Sequence, residues 1–123
     1  MNLSFNVNFF LGLQSQIKIN HWQTKSYARH EAFNDFYEGM NPLIDDYVEL
    51  SISKNGRFIL NDESDTVRLV NIFDLDMDSF VNTLKIAINQ ISTTLNPSDD
   101  DLMNILDEML GQVNKLSYRL SLT

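Results

Sequence analysis

Apolar residues in this chain recur at steps of three and four in four separate blocks. That spacing constrains the fold more than any other feature, because it lines each block up along one stripe of an α-helix. The first block carries Val7, Phe10, Leu11, Leu13 and Ile17 and continues to His21 and Trp22, which predicts a helix over 7–24. Lys25 and Ser26 break the pattern, and Ser26 can cap a second helix by accepting a bond from an amide two or three residues on. That second helix is predicted over 27–53, with Phe33, Phe36, Tyr37, Met40, Leu43, Ile44, Tyr47 and Val48 as its stripe. Pro42 removes an amide donor from its middle and Gly39 weakens the same turn, so a kink or a split is expected near Gly39.

Asn55-Gly56 reads as a helix end with a left-handed cap, although "ISKNGRFIL" also fits a two-residue hairpin turn between short strands. The helix end is the favoured reading. From Arg57 to Asp76 the chain reads as a crossover, with "TVRLVNIF" either a short helix or an extended piece. A third helix is predicted over 77–95 from Phe80, Leu84, Ala87, Ile88, Ile91 and Leu95, with Asp76 as N-cap. In "NPSDDD" Pro97 stops that helix, Ser98 can cap the next, and Asp99, Asp100 and Asp101 suit its positive end. The fourth runs to about Leu120 on Leu102, Ile105, Leu106, Met109, Val113 and Leu116, and Lys115 and Arg119 suit its negative end. Two tight turns around one long crossover predict an all-α, ferritin-like up-down four-helix bundle, a single domain over 1–123.

Charge narrows the partners. A formal net charge of −8, with nine Lys and Arg scattered along the chain, provides no basic footprint, so no direct nucleic-acid partner is expected. "FFLGL" is too short to span a bilayer, no signal-peptide pattern appears, and no membrane partner is expected. Zero cysteines exclude disulfides and thiolate sites and fit a cytoplasmic protein. No Gly-x-Ser-x-Gly elbow or phosphate-cradling loop is present, which sets hydrolase and NTPase readings aside. "SDDD" lacks the alternating ligands and central Gly of an EF-hand and reads as helix-start electrostatics. "DESD" over 62–65 and "DLDMD" over 74–78 read as solvated crossover residues.

Both histidines of the chain fall between His21 and Glu49, together with Asp45 and Glu49. Neither histidine has a Glu three residues before it, which disfavours a two-metal centre inside one bundle. On the second helix Asn34, Asp45 and Glu49 lie about 40°, 60° and 100° round from His30, on one polar edge. His30 and Asp45 are nevertheless roughly 22 Å apart along that helix, against metal-ligand bonds of about 2 Å. Two copies packed antiparallel about a two-fold axis would bring the histidine end of one chain onto the carboxylate end of the other. The same residues also fit a hydrogen-bonded polar patch at a dimer interface with no metal in it. Trp22, Phe33, Phe36 and Tyr37 are expected in core or interface packing rather than in electron transfer.

"HW" ending the first helix, then "HE-x-F" with Tyr37, then "D-x-x-x-E" resembles the Dps or miniferritin branch of the ferritin-like superfamily, especially the short ferritin-like proteins encoded by tailed phages. The ending "KLSYRLSL" resembles the family's last helix. The resemblance implies a ferroxidase site between two subunits, with His21, His30, Asp45 and Glu49 at site positions and iron, as a di-iron or mononuclear site, as the metal. It also implies self-association as a homodimer or larger homo-oligomer, in the host cytoplasm for a phage-encoded chain. Two departures stand out. Asn34 falls where the family places an aspartate, and the gap from His21 to His30 is short. The lysine-rich tail with which some Dps proteins bind DNA is missing. The other reading keeps the fold without the chemistry, as a phage or structural assembly protein with a polar seam.

Overall fold

The computed structural model describes residues 3–61 and 65–122, and among them every regular element is helical. Helix α1 spans Leu3–Gln23, α2 Tyr27–Asn55, α3 Met77–Ser92 and α4 Asp100–Ser121, with one 3-10 turn at Ile72–Asp74 before α3. Helix α1 begins at Leu3, ahead of the predicted Val7, whereas the predicted starts of α2 and α3 hold for physical reasons. Ser26 caps α2 by accepting from the Arg29 amide, and Asp76 caps α3 by accepting from the Ser79 amide. Gly56, at φ 85°, ends α2 with its N–H on the Ile52 carbonyl, so the hairpin alternative does not occur.

Three expectations are corrected. The second helix is not split, because α2 runs unbroken through Gly39 and Pro42. Its neighbours account for both residues. Gln14 of α1 donates to the Tyr37 carbonyl at 3.1 Å and to Asn41 Oδ1 at 2.6 Å, next to the Glu38 carbonyl that Pro42 leaves without a helical donor. Gly39 faces α4 closely enough that a Cβ there would stand 2.6 Å from Gln112 Oε1. The third helix ends at Ser92 rather than Leu95, because the Thr94 and Leu95 amides turn back to the carbonyls of Ile91 and Ser92 in tighter bonds. Ser98 does not cap α4. Asp99 holds that position, with its carboxylate engaged by the Asn96 amide and Lys54 instead of an α4 amide.

Packing centres on α2, which lies against α1 on one side and α4 on the other, while α3 packs on α4. Lys54 at the end of α2 reaches Asp99 and Asp101 at the start of α4, and Arg119 near the end of α4 pairs with Asp35 early in α2. These two helices are therefore antiparallel. The crossover runs beside α1 in the same direction as α1, with Asn8 bonded to Thr66, Gln16 to Val70 and Gln23 to Ile72. It delivers α3 to the end where α1 finishes, so the order is up, down, down, up. "TVRLVNIF" forms no helix before the 3-10 turn, and Thr66 and Val70, four residues apart, meet Asn8 and Gln16, about 12 Å apart along α1, a span that fits extended backbone. The "DESD" reading falls outside the described residues except for Asp65.

The core collects Phe10, Ile17, Phe33, Met40, Tyr47, Ile88, Leu106 and Met109, all fully or almost fully buried. Two stripe positions of the first helix face outward instead. Leu11 is 55% exposed and Trp22 68%. Their places inside α1 are taken in part by polar residues, since Asn6, Gln14, Gln16 and Asn20 are buried.

Candidate metal centre at the α1–α2 turn

His21 stands in the last turn of α1 and His30 in the first turn of α2, facing each other across the capped turn. Nδ1 of His21 lies 2.8 Å from the His30 carbonyl oxygen, and Nδ1 of His30 lies 2.9 Å from the His21 carbonyl oxygen. A carbonyl only accepts, so each Nδ1 carries the proton and donates. In the neutral ring each Nε2 is then left with a lone pair. The His21 carbonyl belongs to the last turn of α1, where no intrahelical amide follows, so the His30 ring also serves as a side-chain cap for that helix. Sequence reasoning found both histidines and missed this reciprocity.

The two rings stack with centroids 3.8 Å apart and planes 20° apart, and Tyr27 lies beyond His30 at 6.2 Å and 25°. An Nε2 lone pair points in the plane of its own ring. Two stacked rings therefore hold their lone pairs in two nearly parallel planes about 4 Å apart, and the pair as it stands cannot converge on one ion at bonds of about 2 Å. The arrangement offers one imidazole per ion, or requires one ring to turn. Held by its other nitrogen on a carbonyl, each ring has the outer-shell partner that a metal-ligating histidine usually has.

The remaining predicted site residues lie further along α2. Asn34 is one turn beyond His30, half-buried, with its amide donating to Glu38 Oε1 at 3.3 Å. Asp45 and Glu49 are exposed. Because α2 is unbroken, the rise between His30 and Asp45 stays roughly 22 Å. The fold thus joins His21 to His30 and keeps both away from Asp45 and Glu49 of the same chain. Among the described residues no three His, Asp or Glu side chains of one chain group as a ligand set.

The opposite end of α2 has its own polar cluster, which the sequence reading did not assemble. Lys54 Nζ lies 3.0 Å from Asp99 Oδ1 and 2.5 Å from Asp101 Oδ1. The Asn96 amide, then Lys54, hold the Asp99 carboxyl below the usual carboxylate range, and Lys54 does the same for Asp101. Hydrogen bonding to Asp101 in turn raises Lys54. Beneath them burial pushes the Tyr47 hydroxyl up to about 12, the Asp99 charge adds to the rise, and the adjacent Ser51 hydroxyl opposes it. No hydrogen bond of standard geometry joins those two buried hydroxyls. A groove of about 270 Å³ between the start of α1 and the end of α3, lined by Phe5, Phe9, Ala87 and Ile91, also lies far from the histidines.

Among the described residues no helix is long and apolar enough to cross a membrane. The chain belongs to the family of unknown function DUF5856, whose profile matches residues 21–120. It is similar to an uncharacterized 14.6 kDa protein in the mobD-ri intergenic region of Enterobacteria phage T4, 26% identical over 117 residues that cover 92% of this chain and 86% of the relative. No solved structure matches the chain.

Proposed function

We propose that the chain is a ferritin-like helical bundle that pairs with a second copy and takes up Fe²⁺ between the two, with peroxide or dioxygen as the oxidant. The observation that carries this reading is the histidine pair. Both Nδ1 atoms are committed to carbonyls, which leaves both Nε2 lone pairs free at a half-exposed surface. The up-down-down-up order, with its full-length crossover, supports the ferritin-like assignment. An unbroken α2 with Asp45 and Glu49 exposed on the polar edge that also carries His30 is what a site shared by two antiparallel copies requires. His21 and His30 would supply neutral nitrogens, Asp45 and Glu49 of the second copy anionic oxygens, and Asn34 a weaker, neutral oxygen. A relative from Enterobacteria phage T4 is in keeping with the phage type of ferritin-like protein.

A second reading has its own support, because the reciprocal bonds give both histidines a structural task. Each caps or braces the other helix, and a polar seam between copies in an assembly protein needs nothing more. Replacing both histidines by asparagine separates the two. An Asn amide can donate near the position of Nδ1 and so keep the carbonyl bonds, but it has no counterpart of Nε2. Under the metal reading, anaerobic Fe²⁺ titration shows binding by the native dimer and its loss in the folded His21→Asn/His30→Asn variant. Asn34→Asp should then tighten iron binding by adding a charged oxygen. In a metal-free seam the same change sets a carboxylate beside Glu38 and toward the partner's acids, and the dimer weakens with no gain in iron. Native protein that takes up no iron above the level of the double variant would sink the ferroxidase reading.

A further inference from the structure

Over 66–70 the crossover has two edges, and among the described residues only the one facing α1 is bonded. On the edge facing α1, Thr66 O accepts from Asn8 Nδ2 at 3.0 Å and Val70 O accepts from Gln16 Nε2 at 2.9 Å. The Val70 N–H donates to Gln16 Oε1 at 3.0 Å and the Ile72 N–H to Gln23 Oε1 at 2.7 Å. All of these peptide groups belong to even-numbered residues. In extended backbone, successive residues aim their N–H and C=O at opposite edges. Val67 and Leu69 therefore present theirs away from α1, and no described residue bonds them. Their side chains are 42% and 46% exposed, and Ile59 and Leu60 just before them are exposed as well. This is an open strand edge with apolar flanks, and no Lys or Pro in 65–71 blunts it.

We propose that this edge pairs antiparallel with the same edge of a second copy of the chain. A row of alternating donors and acceptors is its own complement under a two-fold axis, so like meets like without any further design. Charge points to the same occupant. The described stretch 65–71 carries one acid, Asp65, and one base, Arg68, in a chain of net charge −8, so here two copies approach with little repulsion. The register follows from Arg68. A two-fold centred on Arg68 would set that residue opposite itself, whereas one centred on Val67 sets Arg68 opposite Thr66 of the second copy, without like charges facing. It also sets Leu69 opposite Asp65 of the second copy, whose carbonyl can accept while its N–H stays on the Asn61 carbonyl. So short a ladder buries far less than the roughly 1,200 Å² of a stable interface. It therefore adds a contact to an assembly that another face also holds, and it does not depend on whether iron binds.

Amide exchange on the full chain at rising protein concentration, followed beside sedimentation, tests the pairing. The Val67 and Leu69 amides should gain protection as the chain self-associates, while those of Val70 and Ile72 are protected at every concentration. Val67→Pro removes an outward N–H and touches none of the bonds to α1, so helix content should persist. Self-association should weaken about tenfold, since two hydrogen bonds are lost per pair. Open-rate exchange at Val67 and Leu69 wherever the chain is oligomeric would overturn the proposal, as would a chain that stays monomeric throughout. If the proline variant does not fold, exchange in the native chain decides alone.

Discussion

The seam between α2 and α4 and the seam between α1 and the crossover are built on opposite principles. On α4 every buried residue is apolar: Leu102, Leu106, Met109, Val113, Leu116 and Leu120. On α1 five of the nine buried residues are polar, Ser4, Asn6, Gln14, Gln16 and Asn20, and the crossover is gripped by side-chain amides. Burial of hydrocarbon is non-directional and sets how tightly two helices meet. Amide bonding is directional and sets which residue meets which. Gln16 takes both the N–H and the C=O of Val70, and a slip of one residue would turn both of those groups away. The first seam supplies cohesion and the second supplies register.

The largest expected effect lies in the apolar seam. Leu106→Ala opens a cavity at a fully buried position and should cost about 2–5 kcal/mol, read as a lower urea midpoint for the whole chain. Gln16→Ala should cost less, about 1–3 kcal/mol, by leaving the Val70 N–H and C=O without their partner. Its loss should be local. Exchange should quicken at Val70 and Ile72 while α2 and α4 keep their protection, and a uniform global loss as large as that of Leu106→Ala would break the comparison.

The smallest effect belongs to the ionic tie at the end of the apolar seam. Asp99 and Asp101 titrate below their ordinary value in the folded chain, so their contribution is complete above about pH 4 and disappears as pH falls through the lower folded values. Lys54 is raised, so its share is complete below its ordinary value and is lost as pH climbs through the raised one. Lys54→Met should therefore lower the melting temperature slightly at neutral pH and leave it unchanged at pH 2. An equal loss at both values would mean that packing, not charge, joins these two ends.

The same contrast explains what could be read from the sequence. Stripes of Leu, Ile, Phe and Met at helical spacing gave away all four helices, and Ser26, Asp76 and Gly56 marked three of their boundaries through local chemistry. Pro42 and Gly39 do not split α2, and what they meet, Gln14 and Gln112, comes from neighbours in space. Gln16 and Gln23 carry no signal of their own, since nothing in an amide side chain tells whether it will meet water or a distant peptide group. At the candidate site, spacing placed His30, Asn34, Asp45 and Glu49 on one edge of α2. The bonds between His21 and His30 depend on how two helices meet across a turn, and any grouping with Asp45 and Glu49 depends on a second chain.

The full-length crossover has a consequence for the order of assembly. Each of the two hairpins, α1 with α2 and α3 with α4, is closed by a short turn and can form from contacts near in sequence, which favours speed. The crossover must then find α1 across tens of residues, with the amides of Asn8, Gln16 and Gln23 as its directional guides. Such late contacts are absent from the transition state, so Gln16→Ala should leave the refolding rate nearly unchanged and accelerate unfolding. What the amides of α1 control is how long the finished bundle lasts, more than how quickly it is made.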